Sequence, residues 1–350
     1  MSSKPISAPT RRPTRSLRRR LLAGSLAALL ILGLALGLGL GLTLGRDNDD
    51  DGDGSGDDGP APTGSPLPTP NGTLPWTPRV NDSWQIVLQN NIVLDSDATW
   101  VTPNVSIFDI DLFTTDKDTI ATLHRLGKKV ICYFSAGSFE PGRPDSADFD
   151  EGDMGKELDG WPGERWLKLG SSNVRAIMAK RVKLAGDKGC DGVDPDNVDG
   201  YQNDNGIVPA LKAADSISFM SYLSSLTTPL NLTLGLKNAG DIIQHVLPIV
   251  HFSVNEQCVD NAECTTFHAF VDAGKPVFHI EYPDGEGKGK AGKMRLDAKV
   301  KDKYCGSKGD AKGSDGFSTV LKNMDLDGWV EYCDGSVEVT AVNGTGTGDP

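Results

Sequence analysis

The chain has 350 residues, 38% of them hydrophobic and 24% charged, with 41 Gly, 21 Pro and a formal net charge of −13, enough for one large domain or two small ones. The charge is uneven: residues 1–75 hold eight basic and seven acidic side chains, which leaves 27 basic against 41 acidic for the remainder. Such an acidic body excludes the basic stripe that a nucleic-acid groove needs for counterion release, so no nucleic-acid partner is expected, and it suits a cationic ligand or simple solubility.

Residues 1–20 form a basic tail containing Arg11, Arg12, Arg15, Arg18, Arg19 and Arg20. Leu21 to Leu44 carries no charge and is long enough to cross a bilayer, and with no small-residue cleavage site it reads as an uncleaved transmembrane signal anchor. Arginines before it and Asp47, Asp49, Asp50, Asp51 and Asp53 after it put the N-terminus in the cytosol. A single-pass type II membrane protein is therefore expected, its main body extracellular or lumenal, at the plasma membrane or in the secretory pathway. Gly33, Gly37, Gly41 and Gly45 recur every four residues, a spacing that would let two anchors pair as a dimer or that simply marks a Leu/Gly-rich span. Residues 45–75, rich in Asp, Gly and Pro, read as a disordered linker. Asp49, Asp51, Asp53 and Gly54 mimic the start of an EF-hand loop, but its twelfth position is Pro60, so no calcium site is expected.

Sequons at Asn71, Asn81, Asn104, Asn231 and Asn343 and all six cysteines lie beyond the anchor, as exported topology requires. Cys258 with Cys264 would staple a short loop, and Cys305 with Cys333 would tie down the C-terminus. Cys132 and Cys190 sit in strand-like runs and read as core residues. Six cysteines permit 15 pairings, so these remain candidates. No CxxC or His-Cys cluster in the sequence supports a metal site, and no cofactor is expected.

From residue 76 to 335, apolar β-branched runs alternate with helical periodicity, the pattern of βα units. The runs are Trp84–Leu88, Val105–Ile110, Lys129–Ser135, Cys190–Asp194, Leu232–Lys237, Val250–Val254, Pro276–Glu281 and Phe317–Lys322. Helices are expected around Ile120, Leu123 and Leu126 with a stop at Gly127, around Val174 to Val182 ending near Gly186, around Ile217 to Leu226, and around Phe267 to Val271. Eight such units in about 250 residues predict a (β/α)8 TIM barrel, with an open doubly wound sheet as the alternative and residues 336–350 as a C-terminal tail. Polar groups fall just after the strands: Asp109 and Asp111, Tyr133 and Ser135, Asp194 and Asp196, Lys237 and Asn238, Asn255 and Glu256, Glu281 and Tyr282. Gly287, Gly292 and Lys293 have phosphate-loop spacing, but Met294 replaces the required hydroxyl residue, so a surface loop is expected.

Four aspartates crowd into Asp191–Asp199. Strand alternation puts Asp194 and Asp196 on one face, and Pro195 should end the regular strand. Two strands further round, Glu256 would face Asp196 across the mouth. Such a pair is what glycoside hydrolysis requires: one carboxylate attacks or activates water, the other protonates the leaving oxygen.

The stretches Trp84-Gln85-Ile86, Phe108 to Phe113, Val130 to Gly137, Asp191 to Asp199, Asn255-Glu256 and Glu281-Tyr282 resemble glycoside-hydrolase family 114, the fungal endo-α-1,4-polygalactosaminidases. The resemblance implies an endo-acting glycosidase that cuts α-1,4-linked galactosamine in an exopolysaccharide. It further implies Asp196 as nucleophile and Glu256 as general acid/base, with the reverse assignment open. A cationic amino-sugar polymer would find ammonium partners in Asp109, Asp111, Asp194 and Glu281, and faces in Tyr133 and Tyr282. Lys237 would either hold Asp196 ionised or neutralise the cluster. Two other readings stay open: a membrane-tethered polysaccharide-binding barrel without activity, and a hydrolase of another α-linked glycan.

Overall fold

The computed structural model describes residue 67 and residues 73–283 and 297–344. The tail, anchor and most of the linker expected over residues 1–75, the sequon at Asn71, the Gly287–Met294 motif and residues 345–350 lie outside them. Among the described residues no helix is long and apolar enough to cross a membrane.

All eight anticipated runs are strands, and consecutive ones pair in parallel: β1 (Trp84–Val87), β2 (Ile107–Asp111), β3 (Lys129–Ser135), β7 (Gly192–Asp196), β8 (Thr233–Lys237), β9 (Phe252–Glu256), β10 (Val277–Glu281) and β11 (Ser318–Leu321). Alternation sends Ile86, Ile107, Ile131, Phe252, Val254, Phe278, Ile280 and Val320 into an inner core that fills the curled sheet. The opposite faces join helix side chains in a larger outer core. Gly235 is required inside: a β-carbon there would overlap the ring of Phe252.

Three features depart from a regular eightfold barrel. No helix separates β1 from β2, where 19 residues were expected to hold a βα unit; the described helices are α1 (Lys117–Arg125), α2 (Ser172–Lys188), α3 (Ala213–Thr227), α4 (Ile243–Val246), α5 (Cys264–Asp272) and α6 (Ala298–Cys305). After β11 the chain turns into two antiparallel strands, β12 (Trp329–Tyr332) and β13 (Val337–Val339), and no ladder joins β11 to β1 among the described residues. Side chains bridge that seam instead: Trp84 Nε1 donates to the Ser318 carbonyl at 2.7 Å, and Lys322 Nζ to Gln85 Oε1 at 3.1 Å. Finally, β4 (Ser138–Phe139), β5 (Met154–Leu158) and β6 (Trp161–Leu167) form a separate antiparallel sheet inserted between β3 and α2.

Local chemistry sets the helix ends. Asp116 caps α1 by accepting from the Thr119 amide at 2.6 Å, and Gly127 turns the chain at φ 77°. Helix α2 continues past Gly186, the stop anticipated from sequence, to Gly189, whose left-handed φ of 92° closes it. Gly186 lies within the helix beside Leu230.

Three disulfides are present. Cys258–Cys264 and Cys305–Cys333 join as anticipated, but Cys132 and Cys190 are not plain core residues: they bond across 58 positions. The β3–β7 pairing explains it, because it lays the outward side chain of Cys132 beside the entry to β7. The closed loop contains the inserted sheet and α2. Asn81, Asn104, Asn231 and Asn343 are all exposed.

Candidate active site

Three neighbouring strands end on a charged side chain, and each is followed by a non-glycine residue in left-handed conformation. Asp196 ends β7, Lys237 ends β8 and Glu256 ends β9; Asn197, Asn238 and Gln257 follow at φ 61°, 47° and 60°. The turns stop each strand abruptly and leave its last side chain at the barrel mouth, and strained backbone of this kind persists only where its surroundings hold it. Pro195 does not end β7. It pairs with Phe134 on β3, and it is tolerated because the β7–β8 register covers only Gly192 and Val193, below the proline.

Lys237 Nζ is the hub. It stands 3.5 Å from Asp196 Oδ2, 3.6 Å from Glu256 Oε2 and 3.8 Å from Asp194 Oδ2, and 5.3 Å from the centre of the Tyr133 ring. Its side chain is 1% exposed, so burial pulls its pKa down, but the charges of Asp196, Glu256 and Asp194 outweigh that and hold it as a cation. Asp196 accepts from Tyr133 Oη at 3.1 Å and from the Asn197 amide at 2.7 Å. Glu256 accepts from Tyr282 Oη at 2.5 Å and from Asn238 Nδ2 at 3.2 Å, while Asn238 Oδ1 accepts the Glu256 amide at 2.9 Å. Burial pushes Glu256 up, yet Lys237 and these donors bring its pKa below the usual carboxylate range.

Gly137 fixes the loop after β3 against this centre. Its amide and that of Ala136 donate to the Asp196 carbonyl at 3.0 and 2.9 Å, and a β-carbon there would overlap the Asn197 carbonyl oxygen.

The other residues singled out from sequence divide sharply. Asp109 and Asp194 are inside the barrel, beneath the mouth and sealed from solvent, with no hydrogen bond to either carboxylate. Burial, aided by the Asp194 charge, raises Asp109 well above the usual range; burial holds Asp194 near 7, with Lys237 opposing. Asp111 lines the cleft, but Arg143 Nη1 pairs with its Oδ2 at 2.7 Å and its Oδ1 accepts the amides of Phe113 and Thr114. Ser135 is buried and bonded to Ser138 Oγ at 2.6 Å and Asn197 Nδ2 at 3.0 Å, so it supports the loop and does not face a ligand.

Glu281 is the clearest displacement. Adjacent residues on a strand face opposite ways, and Ile280 and Tyr282 point inward, so Glu281 faces the helices. There it accepts from the Val259 amide at 2.7 Å and pairs with His279 Nε2 at 2.8 Å. His279 Nε2 also lies 3.3 Å from Cys258 Sγ, so a Cys258, Cys264 and His279 grouping that the sequence did not suggest does form, with its cysteines bonded to each other.

The cleft above Lys237 has a volume of about 460 Å³. Its far wall comes from the inserted segment, with Glu140 and Arg143 on the loop after β4 and Trp161 and Glu164 on β6, none of them singled out from sequence. A larger cavity of about 980 Å³ opens at the opposite barrel end beside Asn81, Ser83 and Phe317, and lacks such a convergence of ionisable groups.

The chain matches glycoside-hydrolase family GH114 over residues 65–338. The crystal structure of Aspergillus fumigatus Ega3 in complex with galactosamine is 51% identical, with a TM-score of 0.66, covering 75% of this chain and 99% of that one. The glycoside hydrolase domain of PelA from Pseudomonas aeruginosa shares the fold at 14% identity and a TM-score of 0.50, with the same coverage. No curated protein matches the chain. A family match over most of its length and a relative of this identity show that the chain is a glycosidase of family GH114.

Proposed function

We propose that this glycosidase cuts α-1,4-linked galactosamine within a galactosamine polymer, with Asp196 as the attacking carboxylate and Glu256 as the group that transfers the proton. The observation that carries the reading is the convergence of both carboxylates on Lys237 Nζ, at 3.5 and 3.6 Å, on the floor of an acidic cleft. The two oxygens nearest Lys237 Nζ lie no more than about 7 Å apart, a bound compatible with the ~5–5.5 Å of retaining enzymes, which supports a retaining reading. In the first half-reaction Asp196 would bond to the anomeric carbon while Glu256, held ionised in the free site and therefore needing to take up a proton from solvent first, protonates the departing oxygen; in the second, ionised Glu256 would deprotonate the water that displaces Asp196.

Substrate class is supported by the relative solved with galactosamine and by the cleft itself, where Glu140, Glu164, Asp196 and Glu256 face two basic side chains, Arg143 and Lys237. A polymer of free amines is the cation that such a wall favours. The full chain should release oligosaccharides from deacetylated α-1,4-galactosamine polymer and spare the fully acetylated one. Binding without any release would favour a non-catalytic polysaccharide-binding role, and equal cleavage of both polymers would point to another glycan.

The basic residues before Leu21–Leu44 and the acidic ones after it support type II anchoring with the catalytic domain outside the cytosol. Protease protection of the full chain in intact microsomes tests it; digestion of the catalytic domain without detergent would contradict it.

A further inference from the structure

Glu281 is a fully buried acid on the helix-facing side of β10, outside the cleft and without a part in the proposed reaction. Its two oxygens are used unequally. Oε1 accepts the Val259 amide at 2.7 Å and pairs with His279 Nε2 at 2.8 Å, while Oε2 has no hydrogen-bond partner. A carboxylate only accepts, so His279 Nε2 carries the hydrogen, and the Nδ1 of that ring meets Thr319 Oγ1 on β11 at 3.0 Å. Val259 is the third residue after Glu256, in the segment that joins β9 to α5. That segment leaves the strand through Gln257, whose amide donates to the Ile280 carbonyl at 2.8 Å, and it is closed by Cys258–Cys264. Tyr282, the next residue along β10, faces inward and donates to Glu256 Oε1. Strand β10 therefore grips the end of β9 from both faces: Tyr282 holds the carboxyl, and Glu281 holds the backbone that follows it.

We propose that Glu281 is a positioning residue for Glu256: its Oε1, steadied by His279, fixes the turn after β9 and so aims the proton-transferring carboxyl at the glycosidic oxygen. The inference rests on the reading of Glu256 as the group that transfers the proton. What the turn needs is an acceptor oxygen at full glutamate reach, and the charge is incidental to that task. Withdrawing the oxygen leaves the buried Val259 amide unpaired and frees the turn. A catalytic group displaced by about 1 Å loses on the order of 100-fold in rate. Misplacement of an acid has a signature that general destabilisation lacks. A sugar alkoxide must be protonated as it departs, whereas a dinitrophenolate leaves without a proton, so only the first reaction suffers.

The test compares kcat/KM of the full chain and its variants on a galactosamine oligosaccharide and on the same sugar carrying a dinitrophenyl leaving group, with Tm recorded for each. Glu281→Asp keeps the charge but draws the oxygen away from Val259. It should lose about 100-fold on the oligosaccharide and little on the dinitrophenyl substrate. Glu281→Gln gives up the charge but leaves a carbonyl oxygen within reach, and should recover most of that loss. His279→Asn keeps a polar atom for Thr319 and withdraws the donor from Glu281; it should show the same selective loss, and it carries the test if Glu281→Asp does not fold. Equal losses on both substrates, native rates in Glu281→Asp, or a Glu281→Gln chain as impaired as Glu281→Asp would overturn the positioning role. Glu256→Gln separates the two claims. If it lacks the leaving-group selectivity, the proposed role of Glu256 fails and this inference with it; selectivity there and none in the Glu281 and His279 variants overturns the positioning role alone.

Discussion

Tyr282 donates its phenolic hydrogen to Glu256 Oε1 at 2.5 Å, and the phenol itself is buried deeply enough that burial, then the Glu256 charge, hold its pKa well above normal. The tyrosine is therefore a fixed donor that stabilises ionised Glu256. Removing it with Tyr282→Phe should raise the Glu256 pKa. If Glu256 must be protonated to act as acid, activity is favoured on the acid side, and the alkaline limb of the kcat/KM profile should move up by about one to two pH units in the variant. An unmoved limb with unchanged kcat would show that Tyr282 does not act through Glu256.

Lys237 balances three carboxylates, Asp194 sealed from solvent and Asp196 and Glu256 at the floor of the cleft. Lys237→Met leaves Asp194 buried without a cation, a change that typically costs about 3–5 kcal/mol. In the native chain the raised Lys237 pKa contributes stability that persists below the normal lysine pKa and is lost only as pH climbs past the raised value, so it is fully present at neutral pH. In the variant Asp194 and Glu256 would titrate higher, and protonation relieves the repulsion. The loss in Tm should therefore shrink between pH 7 and pH 4.5; an equal loss at both would contradict the electrostatic account.

Gly137→Ala should disturb the site through the backbone alone. The added methyl would overlap the Asn197 carbonyl, so the loop after β3 or the turn after Asp196 must shift. Misplacement of about 1 Å costs on the order of 100-fold in rate. A kcat loss of that order with the protein still folded, measured beside circular dichroism and Tm, is expected, and native kcat would mean that the loop does not position Asp196.

Cys132→Ala with Cys190→Ala opens a loop of 58 residues that contains the inserted sheet. On the chain-entropy view this should cost roughly 2–4 kcal/mol. Denaturant titration should show the loss, and an unchanged midpoint would indicate that the β3–β7 pairing alone holds the segment.

The sequence made the parallel strands legible because each is a short β-branched run whose alternation survives inside the barrel, as in Val130 to Phe134. The charged ends of β7, β8 and β9 were legible for the same reason: charged residues follow apolar runs. The inserted sheet was hidden because β5 and β6 are half exposed and mix Gly, Glu, Lys and Trp without an apolar period. With it went Trp161, Glu164, Glu140 and Arg143, although an exposed Trp between Gly160 and Pro162 was a usable signal. Glu281 and Tyr282 were paired in error, since neighbours on a strand cannot share a face. The Cys132–Cys190 bond depended on which strand lies beside β3, and a 58-residue separation conceals that.

In the proposed reaction Asp196 and Glu256 together break the bond between galactosamine units. The most direct measurement compares initial rates of reducing-end release from a defined α-1,4-galactosamine oligomer by the wild-type chain, Asp196→Asn and Glu256→Gln, with Tm recorded for each. A loss of about 10²- to 10⁴-fold or more is expected in both variants with folding retained. Wild-type rates in either variant would contradict it.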